Sequence, residues 1–183
     1  MHETLCVGGT FSLRWLTPPD ETSPIASLSP PPGASCGVQW TDEELVFAAR
    51  TDDQKIHFKK SELADLAVKV GAYGRPVDPN FKSVDSVVPL GRDDSVACLF
   101  FQATQSPSHG IKAAGLAEAV APFDALDQGA SLRPVVLLFA VPSENFESFK
   151  QQPLTGSGDK RLALDKLPAA LQGSRVRQGV IRI

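Results

Sequence analysis

Val96-Ala97-Cys98-Leu99-Phe100-Phe101-Gln102-Ala103-Thr104 is the stretch on which the fold turns. An apolar run of this length, almost unbroken, predicts a strand covered on both faces, since a half-exposed strand would alternate. Upstream, Phe81-Lys82-Ser83-Val84-Asp85-Ser86-Val87-Val88-Pro89 reads as a strand of β-branched residues carrying one acid. The polar, glycine-containing turn Leu90-Gly91-Arg92-Asp93-Asp94 joins the two. Downstream, Ser106-Pro107-Ser108-His109-Gly110 caps a predicted helix from about Ile111 to Ala121. A third buried strand follows at Pro134–Val141, a helical turn at Asn145–Lys150, and a closing strand at Val176–Ile183. Strand, strand, helix, strand predicts an α/β fold with a small central mixed sheet and flanking helices.

Toward the N-terminus the signals shorten. Gly37–Trp40, Leu45–Ala49 and Lys55–Phe58 are brief alternating runs, and Ser61 begins a short helix ending before Gly71 and Gly74. Tyr73–Val77 is a short strand limited by Pro76 and Pro79. Ahead of these lies a proline-rich segment, with six of the chain's 15 prolines between Pro18 and Pro32. Prolines lack the amide donor and favour extended backbone, so this segment reads as a loop. It isolates one alternating strand, Gly8–Leu16, in which Phe11, Leu13 and Trp15 share a face. So short a piece cannot bury a core of its own and must pack on the main body or on another domain. The division expected is therefore 1–36, an N-terminal strand and loop that either packs on the main body or remains from an upstream domain, and 37–183, the α/β domain.

Composition narrows the classes. The chain has 183 residues and a formal charge of −3, with 42% hydrophobic and 21% charged residues. That profile excludes a disordered chain, a coiled coil and a generally basic nucleic-acid coat. No apolar run is long enough to span a bilayer, and the first residues lack the regions of a secretory leader, so an intracellular protein, cytoplasmic or nuclear, is expected. Cys6, Cys36 and Cys98 are odd in number and widely spaced, which disfavours a disulfide scaffold or zinc site.

The chemistry concentrates at the central hairpin. Gln102 and Thr104 are two apart and share a strand face, and closure at Gly91 brings Asp85 toward Gln102. A carboxylate beside a glutamine and a threonine oxygen suits a hard cation such as Mg²⁺ or Mn²⁺, which would activate water for phosphodiester hydrolysis. The plainer alternative is that Asp85 ends a strand and Gln102 satisfies backbone at its edge. His109, between strand and helix, is a candidate base or phosphate contact; the plainer alternative is a capping or packing residue. His2 and His57 are assigned no role, and Cys98 reads as a small core residue. From Lys160 onward six basic residues (Lys160, Arg161, Lys166, Arg175, Arg177, Arg182) face a single acid, Asp165. That stretch is a candidate phosphate-backbone surface for DNA, or a solvated edge.

Several pieces occur in an order that resembles a known family. They are Asn80-Phe81-Lys82-Ser83-Val84-Asp85-Ser86, Leu99-Phe100-Phe101-Gln102-Ala103-Thr104, His109-Gly110-Ile111-Lys112 with Gly115-Leu116, Val141–Gln151 with its Phe-x-x-Phe, and the Gln-containing ending Val176–Ile183. Together they resemble the C-terminal domain of Crinkler-type effectors and kinetoplastid retrotransposon hot spot proteins. The resemblance covers roughly residues 71 to 183. It implies a restriction-endonuclease-like fold of the PD-(D/E)xK superfamily, with Asp85 as the first metal-binding acid and Gln102 at the second position. The catalytic lysine position falls on Thr104, which carries no positive charge to stabilise a developing phosphorane. Lys112 would then substitute, or the site is dead. Glu62 would supply the extra acid that many members carry. No P-loop motif occurs, so the resemblance implies a truncated member, acting inside a host cell if it is an effector. Two functions follow: a metal-dependent DNA nuclease of degenerate site, or a catalytically inactive protein-interaction module retaining the fold.

Overall fold

The computed structural model describes residues 1–16, 37–78, 81, 83–90, 97–108, 110–126, 133–172 and 175–183, without the side chain of residue 164. The proline-rich loop, most of the central hairpin turn and His109 lie outside the described residues. In chain order the elements are α1 (His2–Val7), β1 (Gly9–Trp15), β2 (Val38–Trp40), β3 (Glu44–Phe47), β4 (Lys55–Phe58), α2 (Leu63–Ala67), β5 (Tyr73–Pro76), β6 (Ser86–Pro89) and β7 (Cys98–Ala103). They continue with β8 (Ile111–Lys112), α3 (Ala113–Leu126), β9 (Val135–Val141), α4 (Ser143–Phe146), β10 (Leu154–Thr155) and β11 (Val176–Arg182).

The architecture is α/β, as expected, but the sheet is large rather than small. Nine strands run in the order β2-β3-β1-β11-β9-β7-β6-β5-β4. β7, β9 and β11 are mutually parallel, β6 is antiparallel to β7, and β4 pairs parallel with β5 at the edge. The N-terminal strand β1 packs on the main body, between β3 and β11, with Leu13 opposite Ile181.

The apolar runs are continuous because both faces are covered. Along β7, Cys98 and Phe100 enter one core, shared with Leu116, Val120 and Phe123 of α3. Leu99 and Phe101 enter a second core with Phe11, Leu45 and Phe47. β9 divides the same way, so that Leu99, Leu137 and Phe139 are all buried, as the sequence predicts.

The second core exists because the sheet curls. β3 and β7 are separated by three strands, which in a flat sheet places them about 19 Å apart. The Phe47 and Phe101 rings instead meet edge-on, 5.5 Å between centroids. Gly179 lies inside this curl: a Cβ there would stand 2.8 Å from Leu138 and 3.1 Å from Leu13. Only a residue without a side chain lets those leucines close over β11.

Several boundaries differ from the sequence reading: α3 runs on to Leu126 instead of stopping near Ala121, and α4 is Ser143–Phe146 rather than Asn145–Lys150. The helix expected from Ile111 starts at Ala113, and Ile111–Lys112 is instead strand β8, parallel to β10. Tertiary bonds hold it extended: the Ile111 amide donates to the Pro153 carbonyl at 2.9 Å, and Thr155 Oγ1 donates to the Ile111 carbonyl at 3.2 Å. The strand expected from Phe81 begins at Ser86, since Ser83 has φ +71° and cannot continue a ladder.

Candidate functional site

The hairpin geometry predicted from sequence is present at the backbone. Ser86 pairs with Phe101, so one further step sets Asp85 level with Gln102. At that step the chain departs from a regular ladder. The Asp85 amide donates to the Phe101 carbonyl at 2.8 Å, and the Ala103 amide donates to Asp85 Oδ2 at 2.7 Å. The carboxylate thus replaces the next backbone carbonyl, and one of its two oxygens helps to close the sheet end.

The neighbouring groups are similarly occupied. Gln102 is buried on the face of Phe100, and its Oε1 has no hydrogen-bond partner among the described residues. Thr104 anchors its amide on the Ala140 carbonyl at 3.1 Å, and its hydroxyl accepts from the Ser106 amide at 3.1 Å, a local turn. Lys112 lies on β8 rather than on the helix, and its ammonium pairs with Asp159. Ser83 carries no sequence signal of its own, yet its hydroxyl joins this corner to β8. It accepts from the Lys112 amide at 2.8 Å and donates to the Lys112 carbonyl at 3.2 Å. Glu62 ends a 3₁₀ turn at 60–62, with its carboxylate accepting from the Lys59 amide at 2.7 Å.

A hard divalent cation asks for several oxygens, at least some of them anionic and open to water. Here one Asp85 oxygen and a buried amide oxygen are on offer, and the described residues contain no group of three His, Cys, Asp or Glu placed to hold a metal. The donor set does not fit the Mg²⁺ or Mn²⁺ that the resemblance implies. Among the described residues, Gln102 Oε1 is the one orphaned acceptor that would welcome a cation.

The basic stretch does not form one surface. Arg175 and Arg177 are buried. Arg175 grips Asp124 of α3 with both terminal nitrogens, one at 2.9 Å, and also donates to the Arg133 and Ala170 carbonyls. Arg182 lies over the Phe146 ring, 5.4 Å from its centroid, and donates to Ser12 Oγ at 2.7 Å. Lys166 faces Asp165 at 3.6 Å. The Phe-x-x-Phe segment is also structural: Phe149 packs on Phe139, and Arg14 stacks on Phe146 from β1. A contiguous row of phosphate contacts is therefore not built from these side chains.

The structure assembles a second concave site that sequence spacing does not reveal. α1, β4 and β5 enclose a pocket of about 370 Å³, to which His2, Cys6, Lys55, His57, Tyr73 and Arg75 contribute. Tyr73 donates to Ser86 Oγ at 2.9 Å, and His2 Nδ1 lies 2.7 Å from the phenol oxygen. Burial, followed by the nearby Arg75 charge, lowers the His2 pKa, and burial raises that of the Cys6 thiol. Burial likewise pushes the Tyr73 phenol well above its ordinary range.

No helix among the described residues is long and apolar enough to cross a membrane. Compared with known proteins, the chain matches no family model, no curated protein and no solved structure.

Proposed function

We propose that the chain is a catalytically inactive interaction module that retains a restriction-endonuclease-like strand pair, related in plan to Crinkler-type C-terminal domains. The observation that carries this reading is the Ala103 amide bonded to Asp85 Oδ2, which turns the would-be metal ligand into part of the sheet. The adjacent antiparallel β6 and β7, with Asp85 level with Gln102, support the nuclease-type plan. Thr104 at the lysine position and the pairing of Lys112 with Asp159 support its inactivity. The dispersed basic residues favour a protein partner over DNA.

A second reading, a weak metal-dependent nuclease, is favoured only by the orphaned Gln102 oxygen. One experiment separates them. A cation that binds only the folded chain raises the melting temperature by mass action. Inactivity predicts no rise with millimolar Mg²⁺ or Mn²⁺, and no cutting of duplex or single-stranded DNA by wild type or Thr104→Lys. A metal-dependent rise abolished by Asp85→Asn, with cutting gained in Thr104→Lys, would overturn it.

A further inference from the structure

The pocket at the sheet edge carries a chemistry independent of the β6–β7 pair. In the parallel β4–β5 ladder Lys55 is level with Tyr73 and His57 with Arg75. Alternation sends Ile56 and Phe58 of β4 to the helix-side core, so Lys55 and His57 face the other way, as Tyr73 does on β5. Arg75, two residues beyond Tyr73, shares that face. The result is a tile of Lys55, His57, Tyr73 and Arg75, with His2 and Cys6 of α1 beside it.

This tile is rich in donors and poor in acids. Among the described residues, Glu3 is the only carboxylate lining the pocket. Lys55 meets Asp52 at 2.9 Å, but that carboxylate is 99% exposed, so the pair is weak and readily exchanged. Arg75 is exposed and has no hydrogen bond or ion pair among the described residues. The rim is apolar at Val7, which is 74% exposed. A volume near 370 Å³ suits a small molecule rather than a polymer. The Lys55 and Arg75 charges would repel a metal, and a thiol kept protonated by burial has no nucleophilic role.

We infer that this pocket binds a small organic anion, a carboxylate or phosphate monoester on a short apolar body. Arg75 and Lys55 take the charged head, with His2 and His57 as further donors. Val7 covers the apolar part.

The test follows the imidazole resonances of His2 and His57 by NMR during titration of the full chain with hexanoate and with hexyl phosphate. Saturable shifts with either, and an upward move of the His2 titration on saturation, are expected; the tighter probe identifies the head group. Inorganic phosphate and hexylammonium should bind at least about tenfold more weakly, for want of the tail and of the charge respectively. Arg75→Gln should weaken the better probe about tenfold or more without changing the melting temperature, because a charge-assisted hydrogen bond is lost and no native contact is. Absence of saturable shifts with both organic anions, equal binding of hexylammonium or inorganic phosphate, or unchanged affinity in Arg75→Gln combined with Lys55→Gln would overturn the assignment. None of these outcomes depends on metal binding or DNA cutting at Asp85.

Discussion

Asp85, just ahead of β6, and Arg75, on the adjacent β5, carry the charges of two regions that use them in opposite ways. The Asp85 carboxylate accepts the Ala103 amide and finishes the sheet. Around it, Thr104 closes on Ser106, and Lys112 closes on Asp159. Arg75 has no such bond among the described residues and faces a pocket with Lys55, His2 and His57. A polar group spent on its own backbone contributes to the fold; one held in a concavity without a partner is available to a ligand. By residue type alone, the first region looks functional and the second does not. The hydrogen bonds reverse that order.

The comparison predicts that substitutions in the committed network cost stability, whereas those at the open tile cost binding. The largest effect belongs to the most deeply committed charge. Asp124→Ala leaves the Arg175 guanidinium buried without its carboxylate and should cost about 3–5 kcal/mol in a denaturant melt. A loss under about 1 kcal/mol would mean that Arg175 is free to turn outward, and would restore the DNA reading of the C-terminal stretch.

Tyr73→Phe comes next, because it strands the buried Ser86 hydroxyl and the His2 ring nitrogen together. About 1–3 kcal/mol should be lost, with the His2 resonance broadened or displaced. An unaltered melt would show that the phenol is not what holds α1 to β5. Asp85→Asn should cost no more than about 1 kcal/mol, since the amide oxygen still accepts from Ala103. A larger loss in Asp85→Asn than in Tyr73→Phe would make the negative charge itself important, and the two regions less distinct than described.

The smallest effect is a pH dependence. His2 has a folded pKa below its ordinary 6.5, chiefly through burial, with Arg75 and His57 also lowering it and Asp85 opposing them. The unfolded chain then binds the proton more readily. Stability should be full above 6.5, fall as pH drops from 6.5 to the lowered folded value, and level off below it. Of the other groups around it, Glu3, Cys6, Lys55 and Tyr73 line the same pocket. His2→Gln should flatten this segment of the stability curve; an unchanged slope would assign it to another group.

Legibility in the sequence follows the range of the interactions. Val96–Thr104 and Pro134–Val141 announce buried strands because an unbroken apolar run of that length must be covered on both faces, and the closing strand Val176–Ile183 is equally plain. The level pairing of Asp85 with Gln102 is also readable, since a hairpin links residues close in sequence. Helix α3 is legible except for its ends: the sequence stops it at Ala121, before Pro122, whereas it runs to Leu126, and starts it two residues early, because Ile111 and Lys112 are held extended by Pro153, Thr155 and Ser83 from elsewhere in the chain.

Residue pattern decided which segments are strands and which faces they bury, because side-chain alternation and burial are local consequences of composition. Three-dimensional packing decided the nine-strand order, the curl that brings Phe47 to Phe101, and the pocket that joins positions 2, 55, 57, 73 and 75. Those depend on strand neighbours far apart in the chain, and on whether each polar atom finds a partner after packing. Neither quantity is a property of any segment taken alone.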